Sequence, residues 1–311
     1  MRSWARPTAH VALLTAGFVA FGSGVGFADT TSGDASAGSG NQIHAPISVP
    51  IDVSGNSAAA AGQSAAKSKG GATVKNKDGG GDRTTSGDGG LLSGNQLEAP
   101  ISAPISGCGN SLAVGGQSAA KCKGGAKVNN SGSGGGRTSG DGGALSGNQL
   151  YAPISAPTDI CGNSIAVFGE SAAQCEGGAS VRNKGGSTGT TSGDGGFLAG
   201  NQAYAPVSAP IDICGNSIAI GGQSFATCKG GAEVVNHRDS GGDMTTSGDR
   251  SAGGGNQVYA PVSAPVNICG NALAVAGQAA AMCEGGASVH NGSDGDATRR
   301  MAAGDGLTTS G

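Results

Sequence analysis

The sequence predicts an all-β protein: five small, disulfide-stapled β-hairpin or meander modules joined by disordered Gly/Ser-rich linkers. Three observations predict this. A unit of fixed length recurs five times, each copy opens on a two-residue alternation of side chains, and the cysteines fall in equally spaced pairs. Composition sets the scale: of 311 residues 63 are glycine, aromatics make up 3% and charged residues 13%. So few large apolar side chains cannot fill one large core. So much glycine also loses much conformational entropy on ordering. Small ordered islands on mobile tethers are the expectation.

Residues 1–28 read as an export signal. Arg2 and Arg6 supply the positive start, Val11 to Phe27 an apolar run, and Gly26-Phe27-Ala28 the small residues before a cut after Ala28. The run is short and glycine-rich for a membrane span, and no second segment of membrane length follows. Removing the two arginines takes the formal charge from −3 to −5. A mildly acidic chain without a basic patch is not built for nucleic acid. The expected location is secreted, at the cell surface or wall.

The modules occupy residues 40–76, 94–130, 147–183, 200–236 and 255–291, with a disordered tail over 292–311. Asn-Gln opens each copy, at Asn41, Asn95, Asn148, Asn201 and Asn256. An asparagine ends each copy 35 residues later, at Asn76, Asn130, Asn183, Asn236 and Asn291. Length is constant inside the copies, while the stretch between a closing asparagine and the next opening one varies from 17 to 19 residues. Connector sequence such as Thr-Ser-Gly-Asp-Gly-Gly at 191–196 is of the flexible, solvated kind. Its Gly-Asp pairs lack the regular nonapeptide spacing of calcium-binding repeats.

Inside a module, Ile43, Ala45, Ile47, Val49, Ile51 and Val53 share one face. Gln42, His44, Pro46, Ser48, Pro50 and Asp52 share the other. That period belongs to a half-buried strand. Cys-Gly-Asn-Ser follows, a tight-turn signal, then a shorter alternating run (Ile165, Val167; Ile218, Ile220). A loop leads to Gly-Gly-Ala-x-Val-x-Asn, a possible third short strand, as at 177–183. Ten of the eleven prolines fall in the modules as pairs four residues apart. Such a pair removes donors from one edge only, which marks an edge strand with its other edge free to pair.

The cysteines pair as Cys108/Cys122, Cys161/Cys175, Cys214/Cys228 and Cys269/Cys283, each fourteen apart. The first module has serine at both places, Ser54 and Ser68. Joint loss is what a mutual bond predicts, and export favours oxidation, so four disulfides are expected, each within its module. A metal site is the rival, but two cysteines per module without a regular histidine make a poor ligand set. His10, His44, His237 and His290 do not cluster in sequence. A 36-residue unit is too small to fold by core burial alone. Closing a loop of about 15 residues contributes about 3 kcal/mol, so the first module should be the least stable.

No nucleophile–base set, metal cluster or phosphate loop is present, which argues against an enzyme, and no cofactor is implied. Tyr151, Tyr204 and Tyr259 occupy one equivalent position on the polar face, where His44 and Glu98 stand in the first two copies. An exposed aromatic there would stack on sugar, and five tethered copies would give avidity. The second reading is therefore a multivalent array that binds or adheres to cell-wall polysaccharide.

The repeated pattern is Gly-Asn-Gln, x-x-Ala-Pro-Ile/Val-Ser-Ala-Pro-Ile/Val-x-Ile, Cys-Gly-Asn-Ser, then an alternating run and a second cysteine. It resembles the chaplin domain over five segments. The resemblance implies a secreted, surface-active structural protein of filamentous actinobacteria. Such a protein assembles with itself or other chaplins into amyloid-like β-fibrils and coats the cell wall and aerial hyphae. Proline argues against the first strand as fibril core; the proline-free runs Ile165–Phe168 and Ile218–Ile220 are better candidates, though they read slightly better as simply the second strand of a hairpin. The stretch between cysteines is shorter here than in the family and holds Gly, Ala and Lys in place of its apolar and aromatic residues. The sorting signal of the long members is not seen, and Leu307–Gly311 repeats a connector's opening, as a fragment of a longer protein would.

Overall fold

The computed structural model describes residues 30–77, 83–131, 136–184, 189–238, 244–293 and 307–310. All regular structure among them is β-strand. The export signal lies outside the described residues, as does the tail over 294–306 and at 311. The all-β class, the five repeats and the four disulfides stand as the sequence predicts. The way strands pair does not.

Strands do not fold back on their neighbours as hairpins. Each pairs in parallel, in register, with the equivalent strand of the next repeat, and the result is one five-coil β-solenoid. In the third coil the strands are Gly136–Ser139, Gln149–Tyr151, Ile154–Ser155, Thr158–Cys161, Ser164–Val167, Glu170–Glu176 and Ala179–Lys184. The first of these comes from a connector. Its equivalents Thr30–Ser32, Arg83–Ser86, Thr190–Ser192, Met244–Ser247 and Leu307–Ser310 complete a six-stranded sheet. The linkers are thus partly ordered, and the tail contributes a strand. Identical residues stacked at one strand spacing satisfy each other's backbone, which no isolated 36-residue unit could do.

The prolines explain why one predicted strand is three. Amide groups of the odd-numbered residues around Pro100 and Pro104 donate to the preceding coil, as in Ile101 to the Pro46 carbonyl and Ile105 to the Pro50 carbonyl. The prolines sit at the alternate positions, which face the following coil, and interrupt that ladder twice per turn. The edge they blunt is not free, because another coil covers it.

Cys-Gly-Asn-Ser is a corner of the coil. Gly55, Gly109, Gly162, Gly215 and Gly270 take φ of +61° to +70° there, a region open to glycine. The asparagine that follows stacks on its counterpart, Asn110 Nδ2 donating to Asn56 Oδ1 at 3.0 Å. A second ladder, buried at its three middle members, runs Asn76–Asn130–Asn183–Asn236–Asn291 with Nδ2 to Oδ1 distances of 2.7 Å. Each donor also reaches a serine hydroxyl across the interior, as Asn130 does to Ser155 at 3.0 Å. Asparagine ladders of this kind recur in cross-β stacks.

The core is a column of sulfur and small side chains with a separate column of buried valines, Val74, Val128, Val181 and Val234. Cys108–Cys122, Cys161–Cys175 and Cys214–Cys228 are buried and stacked, with Cys269–Cys283 at the last coil. In the first coil the Ser68 hydroxyl donates to Ser54 Oγ at 2.8 Å across the same gap. Ser54→Cys with Ser68→Cys should therefore form a fifth disulfide. The expected results are two mass units lost without reductant and a gain of about 3 kcal/mol for the first coil. Two free thiols on alkylation would contradict this.

Candidate functional site: an outward aliphatic face

The alternation of the first strand has the predicted period with the faces reversed. Ser102, Ser106, Ser155, Asp159, Ser208 and Asp212 point inward and are buried. The isoleucines and valines point to solvent: Ile47 is 71% and Val53 73% exposed. The polar face was expected to meet water, but here it lines the narrow interior, where serines and aspartates stack on their own copies beside the sulfur column and a buried valine column, Val74, Val128, Val181 and Val234. The branched aliphatics of the first strand are left outside.

Register turns them into columns along the solenoid. Ile47, Ile101, Ile154, Val207 and Val262 form one, and Ile51, Ile105, Thr158, Ile211 and Val266 the next. Beyond the corner come Ala58, Leu112, Ile165, Ile218 and Leu273, then Ala60, Val114, Val167, Ile220 and Val275. The two proline-free runs, read as the second strand of a hairpin or as candidate fibril core, thus lie not in a hairpin but in an in-register parallel sheet. Leu92, Leu145 and Leu198 add a ridge at φ of +50° to +55°, where the first and fifth coils have Gly38 and Gly253. Phe168, 74% exposed, also sits at positive φ. Large apolar residues in the left-handed region cost about 1 kcal/mol each, and folding alone does not call for them.

The tyrosine expectation is corrected. Tyr151 and Tyr204 are 8% and 5% exposed and lie inside the coil. Their rings stack at 5.2 Å, and Tyr204 stacks on half-buried Tyr259 at 5.4 Å. No open ring face is offered to a sugar by the two buried ones. In the second coil Glu98 holds the tyrosine's place and receives Arg83 Nη2 at 2.7 Å, where the third coil has Gly136. The ion pair and the ring are alternative fillings of one slot.

Sequence reasoning missed the two buried aspartates beside the sulfur column. Asp159 Oδ2 lies 3.2 Å from Cys161 Sγ, and Asp212 Oδ2 3.2 Å from Cys214 Sγ. Burial, with the Asp212 charge adding to it, pushes Asp159 up to about 7. Burial pushes Asp212 up to about 6. The sulfurs carry no hydrogen, so the carboxyl must supply it. Coil two places the Ser106 hydroxyl 3.8 Å from Cys108 Sγ, and coil five the Asn267 amide 3.3 Å from Cys269 Sγ. Every disulfide-bearing coil therefore sets a hydrogen-bond donor, or a group that becomes one on protonation, against sulfur. The signal was an inward position two residues before each first cysteine.

The profile of the ChpA-C family matches residues 23–73, 70–129, 124–180, 177–229 and 233–288, nearly the whole chain. Chaplin-B of Streptomyces coelicolor is 30% identical over 115 residues, covering 30% of this chain and 48% of that protein. Chaplin-C of the same organism is 33% identical over 103 residues, covering 25% and 40%. The chain thus spans less than half the length of either relative. No solved structure matches it.

Proposed function

The chain belongs to the ChpA-C, or chaplin, family, and from that premise we propose that it is a secreted, surface-active structural protein. In this reading it forms β-rich films or fibrils on the cell wall and aerial hyphae, with its own copies or other chaplins as partners. Catalysis has no part in it. The observation that carries the reading is the outward aliphatic face, whose columns run through all five coils. Soluble monomers rarely expose a contiguous apolar patch beyond a few hundred Å2. A rigid face of this kind lowers the free energy of an air–water boundary by the same removal of apolar surface from water that drives folding. The inward hydrogen-bonded ladders let the face stay apolar without collapsing into a core.

The test is Ile154→Thr, Ile160→Thr, Ile211→Thr and Ile213→Thr combined. Threonine is β-prone and already occupies the equivalent outward position at Thr158. Stability should change by no more than about 0.5 kcal/mol per site, as for surface substitutions generally. Film pressure at the air–water surface should drop clearly against the parent chain. An unchanged film with unchanged circular dichroism would remove the basis of the reading.

A further inference from the structure

We propose that coils three and four carry a metal site that is masked by oxidation: once the disulfide is reduced, two thiolates and one carboxylate converge on a thiophilic divalent cation such as Zn2+. The ligands are Asp159 with Cys161 and Cys175, and Asp212 with Cys214 and Cys228. In each set the three candidate ligand atoms lie within 4.8 Å of one another, and all three residues are buried.

The geometry supports this in three ways. The carboxylate oxygen already stands 3.2 Å from one sulfur in each set. A tetrahedral zinc with Zn–S of about 2.3 Å and Zn–O of about 2.0 Å asks for a ligand edge of about 3.5 Å. The Cα atoms of each cysteine pair are 5.8 Å apart, so the sulfurs can part to about 3.7 Å by side-chain rotation around the metal. Asp159 Oδ1 and Asp212 Oδ1 are buried without a hydrogen-bond partner, and such oxygens want a proton or a cation.

The chemistry balances in two steps. A small dithiol gives two electrons and two protons to the Cys161–Cys175 bond, leaving two cysteine thiols and the cyclic disulfide of the reductant. The cation then replaces both thiol protons and any proton on the carboxyl, releasing them to solvent, and binds the carboxylate and one water. A two-electron oxidant reverses this, remaking the S–S bond and expelling the cation. A chain whose thiols have not yet been oxidised would hold metal at these two coils and release it on disulfide formation. Coils two and five have Ser106 and Asn267 in place of the aspartate and serve as internal controls.

The test uses the full chain, reduced anaerobically with a phosphine and titrated with Co2+, then Zn2+. The expected result is two tight equivalents with a thiolate-to-cobalt charge-transfer band, none of it in the oxidised chain. Asp159→Asn with Asp212→Asn, an exchange that Asn267 makes naturally, should weaken both sites beyond the roughly tenfold to hundredfold that loss of an outer-shell partner costs. Ser106→Asp should add a third equivalent at Cys108 and Cys122. Four equivalents that ignore the asparagine exchanges would mean cysteine pairs on a loose chain, and would overturn the proposal. So would the absence of the band.

Discussion

Raising the pH from about 4 to about 8 is expected to destabilise the middle of the solenoid by a few kcal/mol. Asp159 is held at about 7 and Asp212 at about 6 in the folded chain, against an ordinary value of 3.8. Between those limits the folded chain keeps protons that the unfolded chain has released. Stability from these groups is therefore full below about pH 4, declines as pH rises through the window, and levels off above about pH 7. At about 1.4 kcal/mol for each tenfold change in proton affinity, the larger displacement alone corresponds to roughly 4 kcal/mol. The two carboxyls stand in register on adjacent strands, so their protons come off as a coupled pair. Asp159→Asn with Asp212→Asn should flatten the dependence, because an amide donates to sulfur at any pH, as Asn267 does. Urea midpoints at five pH values would measure it. A wild-type midpoint that climbs across the window would contradict the assignment.

Gly177→Ala should unfold or severely weaken the central coils, while Gly286→Ala should be nearly silent. A Cβ on Gly177 would sit 1.7 Å from the Gly124 carbonyl oxygen of the preceding coil. Backbone blocks it, so neither rotamer nor side-chain shift can relieve the clash. Relief requires separating two coils whose strands pair on both sides of the glycine. A cost of about 3 kcal/mol or more is expected from overpacking with no escape. A Cβ on Gly286, in the last coil, meets nothing within 4 Å, and its φ lies outside the left-handed region. Thermal unfolding of the two variants beside the parent chain would decide the matter. Equal melting temperatures would mean that the Gly-Gly stack is not a close-packed coil contact.

Much of this was legible in the chain. The period-two alternation identified strands, because a strand puts successive side chains on opposite faces whatever it packs against. The paired replacement by Ser54 and Ser68 marked the cysteine partners, because an orphan thiol is reactive. The Gly-Asn corner was recognised, though as a hairpin turn: the local signal for reversing a chain resembles the signal for turning a corner. The tyrosines were assigned to the correct face, and only the side of the sheet that face meets was misread. Asp159, Asp212 and the Arg83–Glu98 pair were passed over, since each reads as an ordinary surface charge until a second coil covers it.

The sequence by itself determined the repeat, the strand period, the disulfide partners and the family, all of which are properties of one module and its copies. Only the tertiary structure decided which module a strand pairs with, and hence which face is inside. A short strand has equal numbers of donors and acceptors on both edges and carries no local record of its neighbour. Pairing with the next copy puts like against like, so that asparagines, serines, sulfurs and tyrosine rings stack on themselves. The narrow interior this creates is filled by those stacks and by one column of valines, so the branched aliphatics of the first strand are turned outward.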